Sequence, residues 1–411
     1  MSTERPKTLL LLSQVYVPDP ASVGQHLHDA AAEMVRRGWR VRVVTSARGY
    51  DDPSVKYAAR EMIDGVEIRR LPLSSFGKKS IKIRIVGGLS FMAQAVVHAT
   101  LSRRPTCILV STSPPMCSAA ALFVSFVRRV PIKYWVMDLN PDQVIAMGKV
   151  TERSLSARLL NAFNRMILAR STDVIALDRF MADRVIRKRD VSEKLAVMPP
   201  WPHEDALEVV EHADNPFRTK HNLNGKFVVM YSGNHSPANP ISTVVEAAER
   251  LKDRADIVFM FIGGGLEKRK VEAAIQRGAR NIVSLPYQPM SELKYSLSAA
   301  DAHVVTLGDK VVGIVHPCKV YGAMAVARPI LFIGPSPSHV SDLIDEHKIG
   351  WRVEHGDADG AARVIEQMVE TRDADRRNMG RRATEAIRGG LSKRALCGRF
   401  CDVIEQERTP A

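Results

Sequence analysis

The sequence predicts an α/β protein built from two doubly wound domains of similar size. Three observations carry this. Short Val/Ile/Leu runs alternate with amphipathic stretches along nearly all of the 411 residues, the pattern of parallel sheets covered by helices on both faces. A chain of that length suits two or three domains. Met198-Pro199-Pro200-Trp201-Pro202 splits the alternation into two series and cannot continue a helix.

The elements follow in order. TLLLLSQ reads as a buried first strand, and a helix is expected from about Val23 to Gly38. RVRVVTS, CILVST, KYWVMDL and DVIALD are the further strands of the first series, each beside a helical stretch. KFVVMYSGN, IVFMFIGGG, NIVSLP, AHVVTL and PILFIG form the second series. The segment Pro202–Asn224 between them reads as loop. Ser392–Glu407 has a helical pattern and is expected to cross back onto the first domain. The expected divisions are 1–200, 201–391 and 392–411. Two such halves imply a cleft between them, with ligands at the strands' carboxyl ends.

Composition bounds the function. With 45% hydrophobic and 25% charged residues, the chain is neither disordered, collagenous nor a disulfide miniprotein. Its five cysteines, Cys107, Cys117, Cys318, Cys397 and Cys401, form no CxxC pair, which suits a reducing compartment. The start has too short an apolar core for a signal peptide. The uncharged stretch Pro105–Val127 is interrupted by Pro114-Pro115, so it reads as strand, loop and helix rather than a membrane span. A cytoplasmic protein, soluble or peripheral on the inner membrane face, is expected. The net charge is +14, of which +12 falls in residues 1–205. A basic first half attracts phosphate on lipid, substrate or nucleic acid. The basic run from Lys78 to Arg84, followed by IVGGLSFMAQAV, is either an interfacial element or an ordinary helix with a solvated start. Nucleic-acid binding lacks a reader motif and aromatic interleaving.

Several motifs sit where chemistry is expected. Gly24 closes the loop after the first strand, where a helix start favours an anion; an ordinary turn is the alternative. Ile262-Gly263-Gly264-Gly265 opens a helix but completes no dinucleotide fingerprint. Gly233, Asn234 and His235 end the first strand of the second half, and polar groups there are good site candidates. Lys319 stands in the first turn of a helix, where the dipole disfavours a cation; it either faces a bound phosphate or points to solvent. Asp138 ends a strand and is either a catalytic carboxylate or a turn cap. No HExxH, Walker A or G-x-S-x-G motif occurs, and no metal site is expected.

Taken together, the chain resembles sugar-nucleotide-dependent glycosyltransferases of the GT-B fold, in the broad family 4 group. The likeness runs through the Gly24 loop, HDAAAEMVRRGWRVRVVT, VMDLNPD, MYSGN, FIGGGLEKRKVE and LPYQPMSELKYSLSAADAHVVTL. It is similar in particular to bacterial O-antigen and colanic-acid type transferases. Their late motif appears here as Pro317-Cys318-Lys319-Val320-Tyr321-Gly322.

The resemblance implies two Rossmann-like domains facing across a cleft. The second would hold a nucleoside-diphosphate sugar, most often UDP-linked, as co-substrate, with no other cofactor. The first would hold a glycan, lipid-linked or small-molecule acceptor. It implies that Lys319 and N–H groups around Gly313, Ile314 and Val315 contact the diphosphate. Gly233 and Asn234 would form the diphosphate-binding turn, Gly24 would approach the β-phosphate, and Tyr287 and Gln288 would meet the base. It also implies retention at the anomeric carbon, with Asp138 and Lys319 as the catalytic pair. Two family glutamates are replaced by Ile314 and Gly322, with His316 and Tyr321 as substitute polar contacts. That departure motivates a second reading: a weak or inactive sugar-nucleotide-binding subunit serving a partner protein.

Overall fold

The computed structural model describes residues 6–19, 21–49, 52–74, 76, 81–112, 116–202 and 208–408, with the backbone alone at 81, 82, 84, 85 and 116. The Lys78-Lys79-Ser80 run, the side chains of Lys82 and Arg84, and Pro114-Pro115 lie outside this description. The chain forms two compact units. Unit 1 is residues 1–201 with 394–411, and unit 2 is residues 202–393.

Unit 1 begins with β1 (Thr8–Leu12), α1 (Ser22–Arg36), β2 (Arg40–Ser46), β3 (Arg60–Ile63), β4 (Val66–Leu71) and α2 (Ile81–Leu101). It continues with β5 (Cys107–Ser111), α3 (Met116–Arg128), β6 (Ile132–Trp135), α4 (Asp142–Ala146), α5 (Leu155–Arg170), β7 (Asp173–Ala176), α6 (Arg179–Lys188) and β8 (Leu195–Val197). The sheet order is β3-β4-β2-β1-β5-β6-β7-β8. Strands β1, β5, β6 and β7 are buried along almost their whole length, as strands covered on both faces must be.

Two readings of the sequence need correction here. The sheet is not wholly parallel, because β3 runs antiparallel to β4 at its edge. This hairpin carries too many charges to show as an apolar run. Its signal is Asp64-Gly65, both at positive φ, the residues that a two-residue hairpin turn demands. Pro202–Asn224 is also not wholly loop. Asn215 caps α7 (Pro216–Lys220), accepting from the Phe217 N–H at 3.0 Å, with proline at the first helical position where its missing donor costs nothing.

Unit 2 continues with β9 (Phe227–Ser232), α8 (Ser242–Arg250), β10 (Ile257–Ile262), α9 (Lys268–Gln276), β11 (Ile282–Leu285) and α10 (Leu293–Ser298). Then come β12 (Ala302–Thr306), α11 (Lys319–Ala325), β13 (Ile330–Ile333), α12 (His339–His347), β14 (Gly350–Val353), α13 (Ala358–Glu370) and α14 (Asp373–Ala386). Its six strands are all parallel, in the order β11-β10-β9-β12-β13-β14. Phe259, Phe261, Val304 and Leu331 fill one face of this sheet, and Val228, Met230 and Met260 fill the other.

The final helix, α15 (Lys393–Glu405), packs within unit 1. Phe400 lies 4.8 Å from Trp135 and 5.5 Å from Trp201, ring centre to ring centre. Trp201 stacks on Trp135 at 5.8 Å. Its indole donates to Asp29, and its carbonyl meets His26 Nε2 at 2.8 Å. Trp201 is therefore a core residue of unit 1, although it stands in the segment that links the two series. Cys397 and Cys401 are buried packing residues. Arg37 bridges to Asp402 and Glu405, each at 2.7 Å. At the buried base of this contact Lys133 pairs with Asp173 at 2.5 Å and donates to the Gln406 carbonyl at 2.6 Å.

That buried pair yields a test. Replacing Asp173 by Asn leaves Lys133 buried without its counter-charge, and is expected to cost about 3–5 kcal/mol. Urea unfolding followed by tryptophan fluorescence in a Trp351→Phe background reads unit 1, which holds the other three tryptophans, Trp39, Trp135 and Trp201. The double replacement Lys133→Met/Asp173→Leu is expected to recover most of the loss. An unaltered midpoint in Asp173→Asn would refute the role given to the pair.

Candidate active site

Unit 2 reverses its strand order at β9. From there β10 and β11 extend to one side and β12 to β14 to the other. In such sheets the crevice beyond the strands' carboxyl ends at the reversal is the usual place for a ligand. Beyond Ser232 the chain turns through Gly233 at φ +124°, a conformation that residues with a Cβ rarely adopt. From the other side of the reversal, the chain beyond β12 brings Lys319 to the same point.

The two residues meet closely. A Cβ on Gly233 would lie 2.7 Å from Lys319 Cε, so a side chain there would push the lysine out of its present position. The ammonium stands 5.2 Å from the centre of the Tyr231 ring, over the electron-rich face that attracts a cation. No carboxylate among the described residues pairs with it. Burial lowers its pKa from 10.5 to about 8, because the charged form loses water without gaining a partner.

The glycine run closes the opposite wall. Gly263 and Gly265 also take positive φ, and a Cβ at Gly263 would strike the Gly233 carbonyl. Lys268 donates to the Gly263 and Leu285 carbonyls and so ties the ends of β10 and β11 together. His235 donates its N–H to Gly264 and accepts from the Glu267 N–H. Its ring is fully buried, against Tyr231 at 4.8 Å, and neither ring nitrogen has a hydrogen-bond partner among the described residues. Burial, with Lys268 and Lys319 nearby, lowers its pKa to about 4, so the ring is neutral at physiological pH. Asn234 is exposed, its carbonyl held by the Tyr231 hydroxyl at 2.9 Å.

The other candidates of unit 2 divide. Tyr287 is 60% exposed and lies along Gly263 and Gly264, the ring edge 3.3–3.4 Å from where their Cβ atoms would be. It offers a flat apolar face beside the crevice. Gln288 turns its amide to the Pro286 carbonyl at 2.9 Å. The N–H groups of Ile314 and Val315 both point at the Val311 carbonyl, at 3.0 and 3.3 Å. Those two donors are therefore spent inside the turn, and Gly313, at φ +69°, has no such bond. The Ile314 side chain is buried, and Gly322 lies in the buried middle of α11. The Tyr321 hydroxyl sits 2.9 Å from His316 Nε2 and 2.8 Å from His339 Nε2.

Lys268 and His339 belong to this region although the sequence did not single them out. Lys268 stood in the quoted FIGGGLEKRKVE motif. His339 comes from α12, and no local signal links it to Tyr321.

Gly24 and Asp138 lie in unit 1. Gly24 is in the first turn of α1, and its N–H is bonded to the Ala21 carbonyl at 2.9 Å. A Cβ there would approach the Tyr16 Cα to 3.0 Å, so close packing onto the chain after β1 accounts for the glycine. Asp138 lies three residues past the end of β6, not at the end of the strand as its sequence suggested. Its N–H and that of Met137 both donate to Thr112 Oγ1, at 3.0 and 2.9 Å. Its carboxylate takes no hydrogen bond from the described residues, and burial raises its pKa to about 6.

Among the described residues no three His, Cys, Asp or Glu side chains gather as metal ligands. No described helix is long and apolar enough to cross a membrane.

Comparison with known proteins agrees with this architecture. Residues 22–201 match the glycosyl transferase 4-like domain and residues 214–386 match glycosyl transferases group 1. The chain is 26% identical to "Probable glycosyltransferase WbjE" of Pseudomonas aeruginosa over 303 residues, covering 71% of this chain and 74% of that one. It is 25% identical to "Putative colanic acid biosynthesis glycosyl transferase WcaI" of Escherichia coli (strain K12) over 342 residues, covering 80% and 84%. The fold also matches that of Anabaena HepE in complex with UDP and glucose, with a TM-score of 0.72, 13% identity and coverage of 97% and 99%. On the two domain matches, their order and the two-unit fold, the chain belongs to the GT-B glycosyltransferases and is a glycosyltransferase with a 4-like first domain and a group 1 second domain.

Proposed function

We propose that this enzyme moves a sugar from a UDP-linked donor, held by unit 2, to a glycan, lipid-linked or small-molecule acceptor, with retention at the anomeric carbon. The observation that carries the reading is the Lys319 ammonium, which lacks a carboxylate partner among the described residues and is seated against Gly233 at the strand-order reversal. A buried cation without a counter-charge is costly, and a diphosphate supplies the missing charge. As the glycosidic bond to the donor phosphate breaks, negative charge grows on the leaving diphosphate. Lys319, with the Gly313 N–H, which has no hydrogen bond among the described residues, stabilises it. Tyr287 offers its exposed face to the base, and Asn234 a side-chain amide to the phosphates. His316 and Tyr321 supply polar contacts near the positions where Ile314 and Gly322 replace glutamates. The UDP in the HepE structure supports the choice of base.

On the acceptor side, Asp138 is ionised above about pH 6 and receives the proton of the attacking hydroxyl. A lipid-linked acceptor and an anionic membrane surface are supported by the outer helices of unit 1. Neighbouring helices α2, α3 and α5 contain no Asp or Glu. They expose Leu101, Phe123, Phe126, Leu159 and Met166, apolar groups suited to an interface. A cytoplasmic position at the inner membrane face follows from the same reading.

Calorimetry with UDP, GDP, ADP, CMP and TDP tests the donor site. UDP is expected to bind selectively, and Lys319→Ala to weaken it at least about tenfold, the loss of one charge-assisted contact. Unchanged affinity in a folded Lys319→Ala protein would remove the lysine from the site. Binding of UDP with no transfer to any acceptor would favour the subunit reading instead.

The lysine also sets a pH dependence. Its charged form prevails below about pH 8, so UDP affinity is expected to fall roughly tenfold between pH 7 and pH 9. A flat affinity across that window would contradict the assignment. On the acceptor side, kcat/KM is expected to lose activity below about pH 6, and Asp138→Asn to lower the rate and abolish that limb. An acidic limb surviving in Asp138→Asn would exclude Asp138 as its source.

A further inference from the structure

A cluster of cationic side chains lies at the edge of unit 1, away from its strands' carboxyl ends. The β3–β4 hairpin places Arg60 directly opposite Arg69. Opposed residues of an antiparallel pair share one face with Cβ atoms about 5 Å apart, and like charges there are destabilising. Neither guanidinium has a hydrogen bond or ion pair with any described residue. The carboxylates beside them are already committed, Glu61 to Arg70 at 2.5 Å and Glu67 to Arg40 at 2.6 Å.

Both arginines line a cleft of about 600 Å³. Across it, near the end of α2, stands His98, whose ring also has no hydrogen bond among the described residues. Burial together with Arg69 and Arg60 lowers its pKa, so those charges are felt at the ring. Arg42 adds a buried Nε with no partner, while its terminal nitrogen holds the Arg103 carbonyl. Leu10, Val44 and Met62 give the cleft apolar surface. Two guanidinium forks and an imidazole beside an apolar floor are groups of the kind that grip phosphate oxygens, and the Glu61 and Glu67 carboxylates that also line the cleft are already paired. The volume exceeds what a bare phosphate fills.

We infer that the cleft bounded by Arg60, Arg69, Arg42 and His98 binds the phosphate of a phosphate-bearing organic anion, at a site separate from the sugar-nucleotide site of unit 2. The anion offsets the repulsion between the opposed arginines, so binding and the local stability of the hairpin are linked.

The test reads His98 directly, so phosphate bound at Lys319 does not confuse it. The full-length protein is titrated with inorganic phosphate, with glucose 6-phosphate and with short-chain dihexanoyl phosphatidylglycerol. The His98 ring protons are followed by NMR, the signal being assigned by its loss in His98→Gln. A saturable shift of the His98 signal is expected, weakened at least about tenfold in Arg60→Gln/Arg69→Gln. A response to phosphatidylglycerol alone identifies a lipid headgroup, and a response to the sugar phosphate identifies a soluble ester; either sustains the site. Arg60→Glu serves as the second variant, because a glutamate opposite Arg69 forms an internal pair. It is expected to raise Tm in phosphate-free buffer and to abolish the His98 response. No saturable shift with any of the three probes, or an equal shift in the double variant, overturns the inference.

Discussion

The stacking of Trp135 on Trp201, with Phe400 against both rings, is the contact on which the layout of the chain depends. Trp201 is the last residue of unit 1 before unit 2 begins, and Phe400 belongs to the segment that returns after it. Unit 1 therefore completes its core only when residues from both sides of unit 2 are present. Unit 2 is an insertion in the fold of unit 1, not a domain appended to it. The polar contacts around the cluster are specific enough to fix this arrangement. The Trp201 indole reaches Asp29, Arg37 reaches Asp402 and Glu405, and Lys133 reaches Asp173 and the Gln406 carbonyl. Of these, only the Lys133–Asp173 pair is fully buried, and such a pair is a poor source of net stability whose loss on one side is nevertheless costly.

In unit 2 the controlling constraint is steric. Gly233, Gly263 and Gly265 each hold positive φ, and two of them would clash with neighbouring backbone if they carried a Cβ. The space they leave is taken by the aliphatic stem of Lys319 and by the ring of Tyr287. Glycine here lets a cation and an aromatic face approach the ends of β9 and β10. Lys268 then spends its own charge on two carbonyls, while Lys319 has no carboxylate partner among the described residues.

How much of this was legible in the sequence follows from the physics of each element. The buried parallel strands appeared as apolar runs because both of their faces are covered. The β3–β4 hairpin did not, because one face carries Arg60, Met62, Glu67 and Arg69, and only Asp64-Gly65 betrays it. Lys319 could be singled out because a lysine in the first turn of a helix opposes the dipole. Gly233 could be singled out because it ends a strand. The pairing of the two is a tertiary fact, set by strand order, and no local pattern encodes it. The same holds for Tyr321, which meets His339 from a helix 18 residues further on. Ile314 and Val315 were read as phosphate donors by resemblance, and only the fold shows their N–H groups turned inward to Val311.

The replacement of the family's two glutamates and the isolation of Lys319 are connected. Gly322 lies three residues beyond Lys319 on α11, a spacing at which helical side chains are neighbours. A glutamate there would bring a carboxylate near the lysine and offset part of its charge. With glycine at that position and a buried isoleucine at 314, the positive charge remains uncompensated and partly desolvated. Burial lowers the ammonium's pKa to about 8, so it stays mostly charged at neutral pH, and an arriving anion holds it charged to higher pH. A diphosphate repays that cost more completely than a neutral sugar or a ribose hydroxyl does. On the donor reading proposed above, Lys319 thus serves a phosphate group of the ligand, and the replacement of the two glutamates leaves that role in place.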